Sequence, residues 1–118
     1  MKHLKTIVIV DDQVAEDLKH IIEKNNKENI REIITFNSRK DFIYALKKEL
    51  KYDILLLDCG MPEDLTIKET KKIAEKYNPQ ATYILTSGDI LPQSVAKEFG
   101  FSGFIDKAMH KEQIKNYL

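Results

Sequence analysis

Five short apolar runs alternate with stretches whose apolar residues fall at helical spacing. This pattern predicts an α/β fold, a doubly wound five-stranded parallel sheet with helices on both faces. The third run, Ile54-Leu55-Leu56-Leu57, shows no polar alternation, so both of its sides require cover. A chain of 118 residues supplies one hydrophobic core and is too short for a second, so residues 1–118 are read as one domain.

The elements follow in order. Leu4 to Val10 is rich in β-branched residues and stops at Asp11-Asp12, a first strand. Val14, Ala15, Leu18, Ile21 and Ile22 then form one apolar helical face. Ile30 to Phe36 reads as a second strand, and Ser38 opens a helix carrying Phe42, Ile43, Ala45, Leu46 and Leu50. Asp53 to Leu57 is the third strand. Thr66-Ile-Lys-Glu69 has the form of a capping box and precedes Ile73, Ala74 and Tyr77. Tyr83 to Leu85 is a fourth strand, and Leu91 to Phe99 a short helix stopped by Gly100. Phe104 and Ile105 make a fifth strand, and His110 to Leu118 a last helix.

Bulk properties narrow the function classes. Nineteen basic residues balance nineteen acidic ones, so no overall field favours nucleic acid or an anionic membrane. The lysines read as solvated helix faces. Cys59 is the single cysteine, which rules out an internal disulfide and fits a reducing compartment. The first apolar run is too brief for a signal segment or a membrane span, and a cytoplasmic location is expected.

In a sheet of this kind, sites form beyond the carboxyl ends of the strands, near the point where strand order reverses. Those ends carry Asp11 and Asp12, Asp58, Thr86 and Ser87, and Asp106 and Lys107. Each has a plainer reading alone: a helix cap, a turn residue, strand-end hydroxyls, a surface charge. Their convergence on the one edge reserved for ligands points to a site. Clustered carboxylates repel one another and must protonate, separate or share a cation. An all-oxygen cluster suits Mg²⁺, whereas His3, His20 and His110 are scattered and Cys59 has no partner for a zinc site. A carboxylate nucleophile beside Mg²⁺, with an ammonium and a hydroxyl opposite, is equipped for phosphoryl transfer.

The ordered set Val-Asp11-Asp12, Leu-Leu-Asp58-Cys-Gly-Met61-Pro62, Leu-Thr86-Ser87 and Gly103-Phe104-Ile105-Asp106-Lys107 resembles the receiver domain of bacterial two-component response regulators, over essentially the whole chain. The form is that of a single-domain, chemotaxis-regulator-like receiver with a flavodoxin-like fold. The resemblance implies that Asp58 is the phosphoacceptor and attacks the phosphohistidine of a sensor histidine kinase or a histidine phosphotransfer protein. Asp12, Asp58 and the backbone carbonyl of Gly60 would ligate Mg²⁺, with Asp11 acting largely through water. Lys107 and Thr86 would bond phosphate oxygens, and Phe104 would turn inward from an exposed position as Thr86 shifts. Phosphorylation and dephosphorylation would be self-catalysed, so the chain is not expected to be an enzyme. Its downstream target would be a protein, with no nucleic acid or membrane contacted directly.

Three departures from that pattern stand out. Glu63-Asp64-Leu65-Thr66 replaces a Met-Asp-Gly-like segment. Ala108 follows Lys107 where the family has proline after a cis bond, and a non-proline cis bond costs about 2.5–4 kcal/mol. Gly60 and Gly88 stand two positions beyond Asp58 and Thr86, where larger side chains are usual. The sequence stops soon after its last helix, so no output domain is expected. Two alternatives are a receiver-like interaction module that takes no phosphate and a small Mg²⁺ phosphohydrolase. The second normally needs an acidic residue two positions after its nucleophile, where Gly60 stands.

Overall fold

The computed structural model describes residues 4–60, 66–88, 93–106 and 111–118. Strand β1 (Lys5–Val10) leads to helix α1 (Ala15–Asn26), and a 3₁₀ turn at Lys27–Asn29 leads to β2 (Ile30–Phe36). Helix α2 (Arg39–Lys47), β3 (Ile54–Asp58), α3 (Ile67–Tyr77) and β4 (Thr82–Ser87) follow. Helix α4 (Gln93–Glu98), β5 (Gly103–Asp106) and a 3₁₀ helix at Lys111–Tyr117 complete the chain. The last element was expected as an α-helix over His110 to Leu118; its described part is the tighter 3₁₀ form.

All strand pairs are parallel, in the order β2-β1-β3-β4-β5. Alternate residues of each buried strand feed opposite faces. Val8, Val10, Leu55, Leu57, Tyr83 and Leu85 pack with Phe42 and Leu46 of α2, Ala74 of α3 and Ala96 of α4. Ile7, Ile9, Ile54, Leu56, Ile84 and Ile105 pack with Ala15, Leu18 and Ile22 of α1 and with Ile114. Two cores on two faces are the physical reason that β3 carries no polar alternation. Among the described residues no helix is long and apolar enough to cross a membrane.

Local signals behave as their chemistry requires. Ser38 caps α2 by accepting from the Asp41 N–H at 3.0 Å. Thr66 and Glu69 form the expected capping box: the Glu69 N–H reaches Thr66 Oγ1 at 3.0 Å, and the Thr66 N–H reaches Glu69 Oε1 at 3.4 Å. Gly100 ends α4 at φ 78°, a left-handed conformation. There its N–H bonds Lys97 O, and the Phe101 N–H bonds Ala96 O, a Schellman closure.

One expectation about the lysines fails. Lys71 on α3 is buried, with its Nζ 5.6 Å from the Tyr83 ring centroid and 5.5 Å from that of Phe101, and it pairs with Glu75. Its aliphatic stem and cation bind α3 to the end of α4, a structural use of a residue type that usually stays in water.

Candidate functional site

Strand order reverses between β1 and β3; β3 ends in Asp58, and Asp11 and Asp12 follow directly on β1. Beyond Val10, the Asp11 N–H donates to Phe36 O at 3.0 Å, which extends the β1–β2 ladder by one step. Asp11 is fully buried, and its Oδ1 accepts from the N–H groups of Gln13 (2.9 Å) and Val14 (3.0 Å). Val14, the N-cap residue of α1, has no side chain able to make these bonds. These bonds brace the turn that leads into α1 and do not cap the helix, whose first residue is Ala15, so the plain reading of the acidic pair as a helix cap does not hold.

Asp12 is exposed, while Asp58, the last residue of β3, is buried. One ligand oxygen from each of Asp11, Asp12 and Asp58 lies within 4.8 Å of the other two. For the buried pair Asp11 and Asp58, two full charges at that separation repel by roughly 3.5 kcal/mol at an effective dielectric of 20. The donor set is all oxygen, without a thiolate or imidazole. Three hard donors, one of them open to solvent, fit a hydrated Mg²⁺ far better than a closed zinc site.

Thr86 faces this cluster from β4. It is in register with Asp58, its carbonyl accepts the Cys59 N–H at 3.0 Å, and it is buried, as is Ser87. Cys59 is partly buried against the core, in keeping with a filler role. Gly60 is exposed, and a Cβ placed on it would sit 3.9 and 4.0 Å from the two Asp58 oxygens, in ordinary contact. Gly88 is exposed at the end of β4. Lys107 and Ala108 lie outside the described residues, as do Met61 to Leu65; Asp106, in register with Ser87, marks the end of β5.

Phe104 pairs with Leu85 in the β4–β5 ladder. It is half-buried and packs against the α2–α3–α4 core, so the ring does not start from the exposed position expected of it. It lines a cavity of about 460 Å³ together with Ala96, Lys97, Phe101 and Tyr117.

Sequence reasoning missed Arg39. This residue opens α2, is 3% exposed, and donates from Nη2 to the backbone carbonyl of Asp58 at 3.3 Å. The signal was present but faint. A cation at the first helical position opposes the helix dipole, so it needs another reason to be there.

Comparison with known proteins gives the family. The profile described as "Response regulator receiver domain" matches residues 7–118. The chain belongs to that family. It is 29% identical over 113 residues to the transcriptional regulatory protein YdfI of Bacillus subtilis (strain 168), covering 94% of this chain and 52% of that protein. The chain thus spans about half of that relative's length. The isolated REC domain of RcsB from Salmonella enterica serovar Typhimurium, in the presence of phosphomimetic BeF3−, matches with a TM-score of 0.79 at 18% identity, over 97% of this chain and 85% of that one. The receiver domain of the Francisella response regulator 1452 matches with a TM-score of 0.75 at 20% identity, over 96% of this chain and 92% of that one. At these identities the solved structures establish a shared fold. The receiver is the signal-accepting domain of two-component systems, and the acidic cluster lies on the edge where this fold places its ligands.

Proposed function

We propose that this receiver domain accepts a phosphoryl group on Asp58, with Mg²⁺, from a phosphohistidine of a sensor histidine kinase or a histidine phosphotransfer protein. The observation that carries the reading is the convergence of Asp11, Asp12 and Asp58 within 4.8 Å at the strand-order reversal, with Thr86 in register beside the acceptor. In the transfer, an Asp58 carboxylate oxygen forms a bond to phosphorus as the P–N bond to imidazole breaks. The imidazole leaves with the electron pair and takes up a proton. Asp58 passes from one negative charge to about two, and the surrounding residues must accommodate the added charge.

Asp12, Asp58 and the Gly60 carbonyl would hold the metal, with Asp11 one water away. Bound there, Mg²⁺ would supply positive charge against the carboxylates and the phosphoryl oxygens. The Thr86 hydroxyl and Lys107 would each donate to a phosphate oxygen. The chain would act stoichiometrically, one phosphoryl group per molecule, and would not be an enzyme in the ordinary sense. A shift of Thr86 would draw the Phe104 ring further inward and reshape the surface formed by α4, β5 and the last helix, where a protein target would bind. With no net charge, the domain itself has no general field for nucleic acid.

Incubation with Mg²⁺ and a small phosphodonor, followed by mass spectrometry, is the test. Wild type should gain one acid- and base-labile phosphoryl group, and Asp58→Asn none. An undiminished adduct on Asp58→Asn would sink the assignment. No adduct and no phosphate release by wild type would leave an interaction module, and sustained phosphate release without an accumulating adduct would mark a hydrolase. Amide NMR with and without beryllium fluoride tests the surface change. Shifts confined to the loops around Asp58, with Phe104 and the final helix unmoved, would leave an acceptor without the switch.

A further inference from the structure

Arg39 is out of place by every local rule. It follows the Ser38 cap directly, so its positive charge stands at the positive end of the α2 dipole. It is also 3% exposed, although removing a guanidinium from water carries a large desolvation cost unless opposite charge lies near. The guanidinium spends one donor on the main-chain carbonyl of Asp58, at 3.3 Å. By covalent geometry, the Asp58 carboxylate on the same residue is then within about 8 Å of that nitrogen. Asp11, fully buried, belongs to the same acidic cluster.

The charge balance explains the placement. Three carboxylates within 4.8 Å carry three negative charges when ionised. Arg39, a buried cation hydrogen-bonded to the Asp58 carbonyl, brings charge of the opposite sign to this cluster. We propose that Arg39 is a fixed counter-charge and positioning residue of the phosphorylation site, a role that rests on Asp58 being the acceptor. The guanidinium offsets one carboxylate before any ligand arrives. It also fixes the carbonyl end of Asp58, and with it the direction in which Cys59 and Gly60 leave the sheet. Arginine suits both tasks because it stays protonated throughout and its planar fork bonds a carbonyl while presenting charge sideways.

This role makes two effects run in opposite directions. A positive charge near the pocket repels Mg²⁺, so removing it should tighten metal binding. The same charge favours the extra negative charge of a phosphoryl group or its mimic, so removing it should weaken that state. Loss of structure around Asp58 would weaken both.

The experiment compares wild type with Arg39→Met and Arg39→Lys. Mg²⁺ affinity is read from amide NMR titration, and beryllium fluoride affinity is then read at saturating Mg²⁺. Arg39→Met should bind Mg²⁺ about tenfold more tightly and beryllium fluoride about tenfold more weakly, the order expected for one charge at this range partly screened by water. Arg39→Lys should stay within about threefold of wild type in both, since it keeps the charge. Unchanged or weaker Mg²⁺ binding by Arg39→Met overturns the counter-charge role, and so does an Arg39→Lys that behaves like Arg39→Met. Should Arg39→Met fail to fold, Arg39→Gln takes its place with the same expected signs. Failure of wild type to bind Mg²⁺ and beryllium fluoride would instead remove the phosphoacceptor reading itself, so the two failures are distinguishable.

Discussion

Substituting Gly60 tests whether open space beside Asp58 sets the lifetime of the phosphorylated state. A Cβ at this position would meet both Asp58 oxygens at 3.9 and 4.0 Å, which is contact without collision. Among the described residues Gly100 is the only glycine at positive φ, so Gly60 can take an L side chain without backbone strain. The residue is exposed, and added bulk displaces only water. In Gly60→Leu, the side chain would therefore start in contact with the acceptor and extend over the approach to an attached phosphoryl group. Hydrolysis needs water aligned opposite the breaking acyl–phosphate bond, and shielding most of those approaches removes productive alignments. A three- to tenfold slower decay corresponds to about 0.6–1.4 kcal/mol in the barrier. Gly60→Ala, which adds contact but no cover, should slow decay by less than about twofold on the same scale. The assay is the decay of the phosphorylated protein in Mg²⁺ buffer after removal of the phosphodonor, followed by intact-mass spectrometry. Equal half-lives for wild type, Gly60→Ala and Gly60→Leu, with phosphorylation intact in all three, would refute water access as the control.

Three other predictions come from different parts of the molecule. Mg²⁺ at 100 times its dissociation constant should stabilise wild type by about 2.7 kcal/mol; Asp12→Ala should lose most of that gain, while Asp11→Ala should keep more of it but lose the acceptor for the Gln13 and Val14 N–H groups. Equal losses of Mg²⁺ affinity in the two variants, measured by titration, would contradict the assigned ligand roles. A Cβ on Gly103 would overlap the end of the Tyr117 ring, so Gly103→Ala should expel that ring and destabilise the fold by about 1–3 kcal/mol. In denaturant melts Tyr117→Ala should make Gly103→Ala markedly less costly, and strict additivity would show that the two do not compete for the space. Burial holds the Tyr52 phenol protonated well above its ordinary range and pushes Tyr83 up to about 12. Both raised values favour the folded state below the unfolded pKa of about 10, and the gain is lost as pH rises through the folded value. Two of the five tyrosines should thus ionise only as helix signal disappears, and ionisation of all five in an intact fold would overturn this.

Much of the fold was legible because each strand buries both faces. Ile7 and Ile9 serve one core while Val8 and Val10 serve the other, so a run without polar interruption marks a central strand. The second strand, Ile30 to Phe36, agrees with the structure at both ends, where a 3₁₀ turn and the Ser38 cap flank it. The fourth strand was read as Tyr83 to Leu85 but runs Thr82–Ser87. Its end was missed because Thr86 and Ser87 look like exit residues, although both are buried and paired. The acidic site was visible as residue types at strand ends, since topology alone brings those ends together. Lys71 was not, because a cation on a helix has the same sequence signature in water as when buried, and Arg39 was marked only faintly by its place at the start of α2. Only the third dimension supplies the Asp58 carbonyl for Arg39 and the Tyr83 and Phe101 rings for Lys71.

In the proposed mechanism, strand β4 would carry an event at Asp58 to the opposite face. On one side Thr86 is in register with Asp58 and accepts the Cys59 N–H; on the other, Thr86 pairs with Ile105, and Leu85 with Phe104. Asp58 and Phe104 are thus separated by two strand spacings, on the order of 10 Å. A displacement of Thr86 would need no long relay, because Leu85, next to it in the chain, pairs with Phe104 on β5. The energy available bounds how complete the response is. Charge-assisted hydrogen bonds from Thr86 and Lys107 to a phosphoryl group would contribute roughly 1.5–3 kcal/mol each. Moving an equilibrium from 1:99 to 99:1 needs about 5.5 kcal/mol. Two such bonds reach that figure only near the top of their range. Full switching by these two contacts alone therefore demands near-ideal geometry at both, or a resting state that already samples the active arrangement. Phe104 is half-buried against the core beside a cavity of about 460 Å³, so an inward turn of its ring would cover only part of the path from solvent.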